Sequence, residues 1–234
     1  MTARTALVVV SHSARLADGV VEVAAQMAPE VTLRAAGGTD DGGIGTSYTL
    51  VEAAVTGLLG DAAGVVILTD LGSATMTAES VVEMLEDPDR VTLADGPLVE
   101  GAVAAAVAAQ GGAGHEEVAR VVAAAGASFT GGTAAPVPEE ADGGDGEAQT
   151  GTFVLVNEVG LHARPAAVLA RLVAGYDAKV TVNGVDAASV LALMGLGLEK
   201  GDEIQVTASG EQATEALAGV AGAVADGFGE GAAR

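Results

Sequence analysis

Residues 65–74 read VVILTDLGSA and residues 7–13 read LVVVSHS. Both are short aliphatic runs that stop abruptly at polar side chains, Thr69-Asp70 in one and Ser11-His12-Ser13 in the other. A strand that is apolar at successive positions has no face to offer solvent, so it belongs in a sheet covered on both sides. The spacing predicts strands over 6–11, 31–35, 64–70 and 91–94. Helical patterns fall near 19–27, 47–59, 75–85, 100–109 and 116–125. This alternation predicts an α/β fold with a doubly wound parallel sheet. In such a sheet the chemistry gathers at the carboxyl ends of strands, where His12 and Asp70 stand.

A different pattern begins at Thr152. An alternating strand is expected over 152–157, and a helix over 164–175 with Val168, Leu169, Leu172 and Val173 on one face. A hairpin follows at 179–182, turned by Asn183-Gly184, the dipeptide that type I′ turns favour. A short helix over 189–194, a strand over 203–208 and a last helix over 211–228 complete a second, smaller open-faced α/β sandwich. Between the two patterns, residues 130–151 read TGGTAAPVPEEADGGDGEAQTG, with five acids and no base. That composition predicts a flexible, self-repelling linker with an r.m.s. span of roughly 25 Å. The expected organisation is therefore a first domain over 1–129, a linker over 130–151 and a second domain over 152–234.

Composition narrows the function. In 234 residues, Lys and Arg number 10 against 32 Asp and Glu, a formal net charge of −22. Such a surface suits neither a nucleic acid nor an anionic membrane, so neither is expected as a partner. With no cysteine, disulfides, thiolate catalysis and Cys-ligated zinc are excluded. The first apolar run, 6–10, is too short for a signal peptide, and the Ala-rich run 101–109 is too short to cross a bilayer. A cytoplasmic location is expected.

Chemistry is left chiefly to three histidines, His12, His115 and His162. His162 lies in GLHARP, residues 160–165, where Pro165 suits the first turn of a helix. It would stand at the helix amino terminus beside free N–H groups, including that of Ala163, and the cation of Arg164. An imidazole there is a nucleophile next to an anion site, so a phosphoryl group on its ring would be stabilised. The first domain offers a parallel arrangement. If its sheet places the strands ending at His12 and Asp70 together, the carboxylate would fix the imidazole tautomer and leave the other nitrogen free. Candidate phosphate-binding positions there are Ser13, Thr46, Gly72 and Ser73. Taken alone, a His and an Asp so far apart in sequence are weak evidence, and a structural pair is the better reading.

The motifs carry resemblances. GLHARPAAVLARLV (160–173), VNG (182–184), ASVLALMGLGLEKGDEI (188–204) and ASG (208–210) resemble HPr, the histidine phosphocarrier of the bacterial phosphotransferase system. That resemblance implies that His162 is phosphorylated and Arg164 is its charge partner. Ser189 aligns with the regulatory serine of some HPr proteins, but the stretch before it is shorter and Ala188 replaces a base, so a helix cap is expected. VSHSARLADGV (10–20), IGTS (44–47), LTDLGSATMTAES (68–80) and ADGPLVEGAVAAA (94–106) resemble the DhaM family, whose first domain is a mannose-type enzyme IIA. That likeness implies that His12 is a second phosphohistidine and that the IIA domain forms a homodimer. It also implies a relay. Phosphoenolpyruvate and a separate enzyme I load His162, His162 loads His12, and His12 passes the group to ADP on DhaL, which works with DhaK on dihydroxyacetone. A sugar-permease IIA–HPr component and a regulatory module remain the rival readings.

No bound cofactor and no metal is expected. Neither Lys179 nor Lys200 follows a glycine, so there is no P-loop. His115 reads as an exposed histidine at a helix start, and Glu79, Glu83, Glu86 and Asp87 as a solvated face. Met76, Met84 and Met194 read as filling a core or a docking patch.

Overall fold

A computed structural model describes residues 4–127 and 148–232. The chain divides into two compact units at Thr130 and Gly131. The linker expectation over 130–151 lies mostly outside the described residues.

In the first unit β1 (Thr5–Ser11), β2 (Leu33–Gly37), β3 (Gly64–Thr69) and β4 (Val91–Ala94) alternate with helices. These are α1 (Ala14–Met27), α2 (Tyr48–Leu59) and α3 (Gly72–Glu83), with α4 (Leu98–Gln110) and α5 (His115–Ala127) closing the unit. The sheet is wholly parallel, in the order β2-β1-β3-β4. All seven positions of β1 are buried, as a strand without a solvent face requires. Its side chains divide between two cores. Leu7 and Val9 join Val66 and Leu68 beneath α1, α4 and α5, whereas Val8 and Val10 join Val65 and Ile67 beneath α2 and α3. Each such fully buried aliphatic side chain contributes about 2 kcal/mol. Alanine makes the close layering possible, since α4 buries Gly101 to Val107 and Ala109 with almost no bulk.

Two helices start earlier than their apolar patterns do. The first begins at Ala14, five residues before the expected start, because the Ser13 hydroxyl accepts from Leu16 N at 3.3 Å and caps it. Helix α3 begins at Gly72 rather than near 75. His115 opens α5 but is not exposed. It is half-buried against Gly64, and its Nδ1 lies 2.7 Å from the Thr92 hydroxyl, which ties α5 to the sheet. Met76, Met84 and Met194 fill no core, being 67%, 74% and 38% exposed.

The second unit contains β5 (Gln149–Val154), α6 (Ala163–Val173), β6 (Lys179–Val182), β7 (Val185–Asp186), α7 (Val190–Gly195), β8 (Glu203–Ser209) and α8 (Ala213–Ala225). Its four strands are antiparallel, in the order β5-β8-β6-β7. Ile204, Val206 and Ala208 of β8 are buried, with the intervening residues turned outward, as one covered face demands. Asn183 (φ 49°) and Gly184 (φ 83°) make the expected tight turn. Strand β5 starts at Gln149, three residues before its alternation suggested, because pairing with Ala208 extends the ladder. The last helix stops at Ala225 rather than 228, where Gly227, Phe228 and Gly229 all adopt left-handed conformations.

Candidate functional site

Strands β1 and β3 are parallel neighbours with Val10 opposite Thr69, so the residues that follow them emerge side by side. His12 and Asp70 meet there. Asp70 Oδ1 accepts from His12 Nδ1 at 2.9 Å and from Leu71 N at 2.8 Å. Its Oδ2 accepts from the His12 backbone N–H at 2.8 Å and from the Ser11 hydroxyl at 2.8 Å. Partial burial disfavours the charged carboxylate. The donors from His12, Ser11 and Leu71 outweigh it and hold Asp70 below the usual carboxylate range. With Nδ1–H donating to Asp70, the lone pair of the His12 ring is on Nε2, 2.7 Å from the Ser73 hydroxyl. Gly72 and Ser73 open α3, whose N-cap, Leu71, supplies no side-chain acceptor, so the Gly72 and Ser73 N–H groups carry no side-chain cap. An anion bound at Nε2 would meet those groups and the Ser73 hydroxyl.

The other first-unit candidates lie close by but are already engaged. Ser13 N donates to Ser11 Oγ at 3.0 Å, and the Ser13 hydroxyl is spent on capping α1. The loop before α2 reaches the site through Gly45 N, which donates to the His12 carbonyl at 2.9 Å. Thr46 Oγ1 lies 3.0 Å from Thr77 Oγ1, and Thr77 in turn donates to the Ser73 carbonyl at 3.0 Å. Exposed Ile44, Leu71 and Met76 flank this arrangement in sequence. Sequence reasoning passed over Ser11, which is fully buried between Asp70 and Ser13; its hydroxyl at the end of an apolar strand was the available signal.

His162 is the N-cap residue of α6, and its side chain does not cap the helix. Gly160 (φ 71°) sets the preceding loop, and a Cβ there would run into the Leu198 carbonyl, the same group that accepts from Leu161 N at 2.9 Å. Ala163, Arg164 and Pro165 form the first turn. Arg164 is exposed and pairs with no acid among the described residues. His162 Nε2 instead donates to Glu230 Oε1 at 2.9 Å. The other carboxylate oxygen accepts from Asn157 Nδ2 at 3.0 Å, and that amide also donates to the Gly160 carbonyl at 2.7 Å. Ser189 stands elsewhere, as N-cap of α7, its hydroxyl accepting from Ala192 N at 3.3 Å. Glu230 and Asn157 were missed in the sequence. The only hint of Glu230 was an acid directly after the helix-breaking Gly227-Phe228-Gly229.

Among the described residues no group of three or more His, Cys, Asp or Glu side chains could hold a metal ion. Nor is any described helix long and apolar enough to cross a membrane.

The family of the PTS system fructose IIA component matches residues 6–137, and that of the PTS HPr component phosphorylation site matches residues 149–226. A phosphoryl donor subunit DhaM of a PEP-dependent dihydroxyacetone kinase from Listeria innocua is 40% identical over 104 residues, covering 44% of this chain and 81% of the relative. The chain belongs to the DhaM family. A longer DhaM, from Providencia stuartii, is 36% identical over 228 residues, 90% of this chain and 47% of that protein. This chain thus spans about half the length of several DhaM relatives it matches. Among solved structures, a phosphocarrier protein HPr from Bacillus anthracis superposes with a TM-score of 0.32 at 30% identity, covering 33% of this chain and 96% of that one.

Proposed function

We propose that this DhaM-family chain is a phosphohistidine relay with His162 as its entry point and His12 as its exit. Enzyme I, charged by phosphoenolpyruvate, presents a phosphohistidine to His162. The ring nitrogen of His162 that Glu230 does not hold, Nδ1, attacks phosphorus as the P–N bond to the donor breaks and its electron pair returns to the donor ring. His12 then attacks the same phosphorus through Nε2, releasing His162. ADP held on DhaL accepts the group from His12, and DhaL with DhaK passes it to dihydroxyacetone. The HPr unit and the IIA unit are the two domains of this reading, joined by the acidic stretch, with self-association through the IIA unit and a cytoplasmic location.

The observation that carries the proposal is the His12 site. A carboxylate fixes one ring nitrogen, and the other faces a helix amino terminus with a hydroxyl 2.7 Å away. In-line transfer between two nitrogen nucleophiles asks little more than positioning and stabilisation of the transferred charge. Gly72, Ser73 and their first-turn N–H groups supply that stabilisation at His12, and Ala163 with the Arg164 cation supplies it at His162. Ser73 changes partner in the step, giving up Nε2 and donating to a phosphoryl oxygen.

The test combines phosphoenolpyruvate, enzyme I, DhaL·ADP, DhaK and dihydroxyacetone with the wild type, His12→Ala and His162→Ala. Acid-labile protein phosphate and dihydroxyacetone phosphate are followed together. Product that depends on both histidines is expected, with phosphate trapped on His162 in His12→Ala. Label on His12 in His162→Ala without any added HPr contradicts the order of the relay. Labelled histidines with no product place the target in a sugar permease or a regulator.

A further inference from the structure

We infer that Glu230 is a positioning residue of the His162 site, and that its charge sets how a phosphoryl group divides between His162 and His12. This rests on the relay reading above.

The geometry around Glu230 is built rather than incidental. After α8 ends, Gly227 (φ 61°), Phe228 (φ 55°) and Gly229 (φ 78°) adopt successive left-handed conformations. A residue with a Cβ rarely accepts that region, and Phe228 is held in it with its ring buried, only 6% exposed. The turn presents Glu230 to the loop before α6. Both carboxylate oxygens are then used, one by His162 Nε2 at 2.9 Å and the other by buried Asn157 at 3.0 Å. Asn157 in turn holds the Gly160 carbonyl at 2.7 Å, so the carboxylate is referenced to the backbone that places His162.

The chemistry gives this contact a consequence. When Nδ1 of His162 forms its bond to phosphorus, Nε2 keeps its proton and the ring becomes cationic. A carboxylate on Nε2 offsets that charge directly. Asp70 does the same for His12 through the opposite nitrogen, at the same 2.9 Å. The two phosphohistidines are thus balanced by one carboxylate each. An alternative role for Glu230 is purely mechanical, clipping the segment 227–232 to α6, and a glutamine in its place separates the two. Gln keeps the size and a hydrogen-bonding amide but removes the charge.

The experiment uses the full chain with enzyme I and phosphoenolpyruvate, and reads the label on each histidine by mass spectrometry of peptides kept at neutral or higher pH. Wild type, Glu230→Gln, Glu230→Ala and Glu230→Asp are compared, with thermal unfolding measured in parallel. The expected result is a ratio of His162 to His12 label that falls roughly three- to tenfold in both Glu230→Gln and Glu230→Ala. Glu230→Asp recovers part of the loss, and Glu230→Gln, whose single amide oxygen can accept from only one of His162 and Asn157, melts a little below the wild type. Label on both histidines at an unchanged ratio in Glu230→Gln and Glu230→Ala overturns the role of Glu230 and leaves the relay standing. A wild type that takes no label at His162 overturns the relay reading and this inference with it.

Discussion

Asp70 receives hydrogen bonds from His12 Nδ1, the His12 backbone, the Ser11 hydroxyl and Leu71 N, so its carboxylate has no freedom to turn. Replacing it with Asn keeps the shape but removes the charge that, in the relay reading, would offset a phosphorylated His12 ring. Loading of His12 should slow by on the order of 10²-fold, measured as the rate of acid-labile label, while loading of His162 is unchanged. Ser11→Ala removes one of those donors and leaves Ser13 N without its acceptor. A stability loss of about 1 kcal/mol is expected in urea titrations. Asp70 also has a stability signature in acid. Its folded pKa lies below the unfolded value, so ionised Asp70 favours the folded state. That contribution is complete above the ordinary carboxylate pKa of about 4 and disappears as pH falls through the lowered folded value. The gap in urea midpoint between wild type and Asp70→Asn should therefore be constant from neutral pH to about 5 and close below about 4.

At the scale of elements, the parallel neighbours β1 and β3 create the first site and the loop before α6 creates the second. Glycine 160 is the point where this can be broken. An alanine there meets the Leu198 carbonyl and must adopt a φ of 71°, so Gly160→Ala should destabilise the second unit by 2 kcal/mol or more, by the order of magnitude for such strain. Circular dichroism melts of the full chain should show that unit unfolding earlier while the first is unmoved. The strands β1 and β3 were legible because burial on both faces writes an almost unbroken apolar run. The starts of α1 and α3 were not, because polar Ser13 and the short Leu71-Gly72-Ser73 turn decide them without periodicity. The sites divide in the same way. GLHARP and SHS are local signals, but the partners of their histidines are not. Asp70 lies 58 positions from His12, and Glu230 lies 68 from His162. The first pair needed the strand order, and the second needed the left-handed turn after α8.

For the whole molecule, the relay reading makes a prediction about concentration. In one chain the second histidine meets the first at an effective concentration of about a millimolar, whereas between chains it meets it at the bulk value. Mixing His12→Ala with His162→Ala should restore product formation, since each supplies what the other lacks. The restored rate should stay below the wild type and should fall with dilution once mixed dimers joined through the IIA unit dissociate. Failure to restore product at any protein concentration contradicts the relay. The two sites differ in one further respect. Asp70 holds His12 by Nδ1 and Glu230 holds His162 by Nε2, so the nitrogens left open are opposite ones. A chain charged at both positions would carry two positional isomers of phosphohistidine, each with its own hydrolysis rate and its own epitope. Isomer-selective antibodies would then report the occupancy of the two stations separately on a single gel, without mutating either.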